Sequence, residues 1–200
     1  GLVCSDAFMF NEKGKEKRIF KDIKPCRGNI FPKLLNRNFI NTQTVVIRRE
    51  AFGSTDNPFD ASLIMAGDYD AYLRISYKWK IDYVNKPLAR YRIHRNSKSW
   101  KDGRKLLTVE LGLIMENLKQ VDCEIEAKFP AEFRALKRFR DVQLSLVDWE
   151  NGDKKRARKR LRIYVHDSIV YLILYFLVYF PYRYVYYPCY RMYTKGIVAS

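Results

Sequence analysis

Histidine is nearly missing from this chain of 200 residues, which has only two. The four cysteines, at positions 4, 26, 123 and 189, show no Cys-x-x-Cys spacing. Those two shortages exclude a zinc cluster. Scattered cysteines of this kind can pair, or they can be reduced, buried thiols in a cytosolic compartment; the second reading is the one expected here. Internal repeats and low-complexity linkers are also missing. Helix-turn-helix, RNA-recognition and zinc-finger patterns are absent as well, which argues against nucleic acid as the partner. Acidic residues are scarce, 22 against 38 Lys and Arg, for a net charge of +16. That balance suits an anionic partner: nucleic acid, anionic lipid or a phosphate-bearing substrate.

What is present is enough for a packed protein: 48% of residues are hydrophobic and 30% charged. Gly1-Leu2-Val3-Cys4 reads directly as a strand, so the expectation is a chain that begins inside a longer protein, with no signal peptide at this end. Up to about residue 100 the pattern is mixed α/β. A strand over Gly1–Phe10 is followed by a turn at Asn11–Lys15, then a short helix over Asn29–Arg37. Thr42–Arg48, rich in β-branched residues, reads as a strand. A helix opens at Asp68, with Tyr69, Tyr72, Leu73 and Ser76 at helical spacing. Two short strands, Ile81–Val84 and Leu88–His94, flank a turn at Asn85-Lys86-Pro87. In the second, Arg90, Arg92 and His94 alternate with Ala89, Tyr91 and Ile93. From about Lys105 the signal is helical, with a stripe of Leu106, Leu107, Leu111, Ile114, Met115 and Leu118. Pro130 suits the first turn of a further helix that Gly152 ends. The expected division is residues 1–100, then 101–162 as a helical extension, then 163–200 as an apolar, tyrosine-rich tail.

Two stretches carry chemistry. Ala66-Gly67-Asp68-Tyr69-Asp70 sets two carboxylates at a helix start. One reading makes Asp68 a helix cap and Asp70 a first-turn acid favoured by the helix dipole. The other makes the carboxylate a general base at the lip of a cleft, accepting a proton from an acceptor hydroxyl. The face bearing Arg90, Arg92 and His94, continued by Arg95-Asn96-Ser97, is either a solvated strand face or a phosphate grip. His94 is at most a weak metal candidate, since it stands alone.

In order and spacing these pieces resemble family 2 glycosyltransferases of the GT-A fold, over roughly residues 1–100. Leu2–Ala7 looks like the strand after that family's metal-binding segment, and Asn38–Arg49 like its mid-domain strand. Pro58–Leu63 occupies the place of a Gly-Gly-Phe-Asp type turn. Asp68–Arg74 resembles the helix that starts with the catalytic base, and Pro87–His94 with Ser97–Ser99 resembles the strand and lid that follow. The resemblance implies an α/β chain: a partial GT-A domain lacking its N-terminal half, followed by an α-helical C-terminal extension. Asp68 becomes the implied base of an inverting transfer. Asp70, Arg90, Arg92, His94 and Ser97 become implied substrate-binding residues, the last three near the donor diphosphate. The implied substrates are a nucleotide-sugar donor and a glycan or glycolipid acceptor. Gly67 departs from the family's usual glutamate, and Pro58 from its glycine. The family's Asp-x-Asp donor half would lie upstream of Gly1. Mg²⁺ or Mn²⁺ is therefore implied only for the intact enzyme, and no metal ligand is assigned in this stretch.

The tail combines two signals. Lys154–Arg162 holds seven basic residues, and Ser168–Tyr182, just beyond it, holds no charged one. Ten of the 15 tyrosines fall between Tyr164 and Tyr193, and tyrosine favours the headgroup level of a bilayer. As a helix, Ser168–Tyr182 measures roughly 22 Å, short of the roughly 30 Å of a bilayer core. Three readings stay open: a helix packed on the catalytic domain, a helix lying on the membrane, and a span. The second implies an anionic membrane surface as partner through residues 154–193, and a cytoplasmic protein peripheral at the inner face of the plasma membrane. Two competing functions remain: a basic nucleic-acid-binding module using the same segment, and a membrane-associated module without catalysis.

Overall fold

The computed structural model describes residues 1–53, 58–94 and 103–186. The chain forms two compact units, Gly1–Leu136 and Lys137–Ser200. The division therefore falls at Leu136, not near residue 100. The physical reason is that the long helix after residue 102 buries its apolar stripe in the first unit's core, so it is no separate extension.

The first unit is α/β and is built on a four-stranded mixed sheet. Its strands are β1 (Leu2–Phe10), β2 (Glu16–Arg18), β3 (Val46–Ile47) and β4 (Ile81–Arg92). β1 is central. It runs parallel to β4 and antiparallel to β2 and β3, which share its other side. The turn into β2 forms as its residues require: Gly14 sits at φ 76°, and Asn11 accepts from the Lys13 and Lys15 N–H groups.

Two strand expectations need correction. Thr42–Thr44 is a 3-10 turn capped by Asn41, and only Val46–Ile47 pairs. A side-chain cap on the Gln43 N–H outcompetes the local β propensity of the threonines. Residues 81–92 form one strand, not two around a turn. Between its pairings of Ser5 with Val84 and Ala7 with Ala89, β4 carries five steps against two on β1, with irregularities on both sides of Asp6. Asn85, Lys86 and Leu88 have no partner on β1 while Pro87 stands opposite Asp6, so the stretch bulges instead of reversing the chain. Proline is tolerated because the irregular ladder at this point does not call for the N–H it lacks.

The helices of this unit are α1 (Phe31–Asn36), α2 (Gly67–Lys78), α3 (Gly103–Val121) and α4 (Ile125–Lys128); α5 (Pro130–Glu150) starts here. Leu34 and Leu35 of α1, Tyr72, Leu73 and Ile75 of α2, and Leu111, Ile114 and Leu118 of α3 close one core with Leu2, Cys4 and Ile81 of the sheet.

The second unit contains the end of α5, α6 (Lys154–Leu161), a 3-10 turn at Arg162–Tyr164 and α7 (Ile169–Leu177). Asp153 caps α6 through the Arg156 N–H. Trp149, Leu146, Ala157, Leu161, Val178 and Tyr182 form its small core. The Trp149 indole donates to the Phe180 carbonyl at 2.8 Å. α7 is only nine residues long. Among the described residues no helix is long and apolar enough to cross a membrane.

Candidate active site

α2 needs its first backbone N–H groups satisfied, and Ala66 at its cap has no side chain to do so. Glu110 of α3 instead secures the turn that leads into the helix. Its buried carboxylate accepts from the Ile64, Met65 and Ala66 N–H groups at 2.7–3.0 Å. One α-helical face of α3 places Asn117 two turns further on, where its amide donates to Asp60 at 2.8 Å and to Asp70 at 3.1 Å. The Asn117 amide, followed by the Ser62 hydroxyl and N–H, holds the Asp60 carboxyl below its usual range. Sequence reasoning missed Glu110 and Asn117. The available signal was a polar residue interrupting an apolar helical stripe.

The clamp decides the fate of the two candidate acids. Asp70 is wholly buried, with its carboxylate held by Arg74 Nε at 2.8 Å and by Asn117. Arg74 also donates to the Pro58 carbonyl. Asp70 therefore ties α2 to the preceding loop and to α3, and it is enclosed, not open to a ligand. Asp68 is half-buried in the first turn of α2, two positions inside the cap residue Ala66. One of its oxygens accepts from the Tyr69 N–H at 2.7 Å, the other from the Thr42 hydroxyl. A carboxylate has about four acceptor positions, so about two stay open.

Thr42 connects Asp68 to a cavity. The Thr42–Thr44 turn packs against β1 and β4, and Thr44 donates to the Ser5 carbonyl at 3.0 Å. An open cleft of about 500 Å³ is lined by Thr42, Asn41, Phe39 and Arg37, with Met9 and Tyr91 from the strand ends. Beneath it, burial pushes the Tyr72 hydroxyl up to about 12; the Thr42 hydrogen bond opposes that rise and the charge on Asp68 adds to it. Tyr72 therefore keeps its proton at neutral pH. Tyr69 anchors α2 through its hydroxyl, which donates to the Leu34 and Leu35 carbonyls. Burial, followed by the charge on Asp82, pushes the Cys4 thiol up to about 11, so it holds its proton and is no nucleophile.

The basic strand lies differently from expectation. Met9 and Tyr91 are register partners, and both line the cleft. The neighbouring pairs, Phe8 with Arg90 and Phe10 with Arg92, point to the other face of the pleat. Arg90 is occupied there: it pairs with Glu16 at 2.9 Å and lies over the Phe10 ring at 4.7 Å. Arg92 is exposed, and His94 is half-buried just past the strand end. The alternation expected over residues 89–92 is present, but it brings Tyr91, and not Arg90 or Arg92, to the cleft that Thr42 lines; Asp68 reaches that cleft only through its hydrogen bond to Thr42. Ser97 and the rest of its loop lie outside the described residues.

Among the described residues no group of three or more His, Cys, Asp or Glu side chains is placed to hold a metal ion. The described residues therefore offer no ligand set that fits Mg²⁺ or Mn²⁺.

A buried acid also organises the far end of the sheet. Asp6 is fully enclosed at the bulge and accepts from the Ala7 and Phe20 N–H groups and from Arg18 Nε at 2.6 Å. Arg18 in turn reaches the Asn85 side chain at 3.0 Å. Asp6 is thus a structural carboxylate that holds β2 and the β4 bulge. Compared with known protein families, curated proteins and solved structures, the chain finds no match.

Proposed function

We propose that the first unit is the acceptor side of an inverting glycosyltransferase, with Asp68 as the general base. The observation that carries this reading is the placement of the Asp68 carboxylate. It is half-buried in the first turn of α2 and hydrogen-bonded by Thr42, which itself lines an open cleft of about 500 Å³. The resemblance of residues 1–100 to family 2 glycosyltransferases supports the same assignment.

In this reading an acceptor hydroxyl occupies the cleft and donates its hydrogen bond to the open side of Asp68. As its oxygen bonds to C1 of the donor sugar, the proton passes to the carboxylate. The bond from C1 to the nucleotide diphosphate breaks, and the diphosphate leaves with the electron pair. Thr42 and the Tyr69 N–H hold the carboxylate in one rotamer, so little orientation is lost at the moment of reaction. In this reading the binding of the nucleotide is assigned to none of the described residues. The acceptor is a glycan or glycolipid, and the work is done in the cytoplasm at the inner face of the plasma membrane.

The test is Asp68→Asn in the intact polypeptide, assayed by release of nucleotide diphosphate in the presence of glycan acceptors. Asparagine keeps the shape and cannot take the proton. Turnover should fall about 10²–10⁴-fold, while the melting temperature stays unchanged. Unaltered turnover removes Asp68 from the mechanism.

A further inference from the structure

The second unit presents a surface that its own core leaves over. α7 turns Leu174 and Leu177 towards Trp149 and Leu161, and Val178 follows them inward. Its outer side carries Ile169, Ile173 and Phe176, and Phe180 continues the same spacing of three or four residues. These four are 66%, 51%, 57% and 58% exposed. A single exposed apolar side chain is ordinary, whereas a row at helical spacing marks a contact surface.

Cations line the row. Lys154 Nζ donates to the Tyr179 carbonyl at 2.9 Å, and the Arg158 guanidinium lies over the Tyr179 ring at 4.1 Å. These two contacts hold α6 against the end of α7. Arg156 and Arg160 turn to Asp148 instead. Lys155, Lys159 and Arg162 recur at helical spacing and are exposed. Residues 137–200 hold thirteen Lys and Arg against five Asp and Glu, a net charge of +8, and no acidic residue follows Asp167.

We infer that this surface docks on an anionic lipid bilayer, with the outer row of α7 in the headgroup boundary and Lys155, Lys159 and Arg162 over lipid phosphates. An apolar row next to a cationic one, with no acidic residue from Ser168 onward, is the chemistry of an interfacial helix. α7 does not span: nine residues of helix cover about 13 Å, under half of a bilayer core. The inference rests on the second unit alone and stands or falls apart from the sugar-transfer reading.

The test is sedimentation of the intact protein with vesicles of phosphatidylcholine alone and of phosphatidylcholine mixed with phosphatidylglycerol. Binding is expected only to the anionic vesicles, and it should weaken as salt rises. Replacing Lys155, Lys159 and Arg162 together by glutamine should weaken it about a hundredfold, at about fivefold per cation. Ile173→Ser with Phe176→Ser should weaken it about tenfold or more. Circular dichroism checks that both variants keep their helices. The inference is overturned by any of three results: equal partition to both vesicle types, full binding by both variants, or a dimer or nucleic-acid complex formed through this row without vesicle binding.

Discussion

The two units handle awkward groups in opposite ways. The first buries carboxylates and satisfies each one: Asp6 with Arg18 and two N–H groups, Asp70 with Arg74 and Asn117, Glu110 with the entry to α2. The second keeps its charges near the surface and leaves an apolar row exposed. A buried charge is tolerated only when fully paired, so the first unit is committed to one internal arrangement. An uncovered apolar row costs little in the isolated fold but is available to a partner. The difference separates a unit built to hold a geometry from one built to present a surface.

The sharpest way to test that difference lies inside the second unit. Trp149 is enclosed and Phe176 is not. Trp149→Ala should cost about 3–5 kcal/mol, whereas Phe176→Ser should stay within about 0.5 kcal/mol. Urea unfolding followed by circular dichroism reads both. Equal costs would mean that α7 is covered in the free protein, and the contrast would fail.

The next effect belongs to the first unit. Glu110→Ala strips the acceptor from three N–H groups and should cost about 3 kcal/mol, with Glu110→Gln costing about half of that. If both substitutions are silent in urea unfolding, the clamp on α2 is not what positions Asp68.

The smallest effect is a pH dependence. The Lys128 ammonium, aided by the Tyr77 hydroxyl, draws the Asp122 carboxyl from 3.8 down to about 2. Because the folded value is the lower one, the stabilisation is complete above pH 3.8 and is lost as pH falls towards 2. Lys128→Gln should return the Asp122 midpoint towards 3.8, as read by carboxyl-carbon NMR, and should shrink the stability difference within that window. A midpoint that does not move would mean that the ion pair is absent in solution.

Much of the fold is legible in the chain because its signals are local. The stripe from Leu107 to Leu118 predicts α3, Pro130 and Gly152 bracket α5, and Gly14 marks the first turn. The alternation over Ala89–Arg92 was legible for the same reason, since pleating is a property of consecutive residues. Which side of that strand meets the cleft was not, because register with β1 decides it, and the bulge around Pro87 involves Asp6 and Arg18 from other strands. The candidate site divides in the same way. Asp68 was readable as an acid at a helix start, and Asp70 equally so. Only packing separated them: Asn117 and Arg74 close over Asp70, while Asp68 stays half-buried and is bonded by Thr42, twenty-six residues upstream, which lines the cleft.

The sequence by itself determined the helices, the strand β1, the charge of +16 and the adjacency of a basic run to an apolar one. Tertiary structure alone decided which carboxylates are enclosed, that Glu110 holds the turn into α2, and that Lys154 and Arg158 of α6 meet Tyr179 just past α7. The physical reason is range. Propensity, periodicity and composition act between near neighbours, whereas burial and hydrogen-bond satisfaction depend on groups brought together from far along the chain.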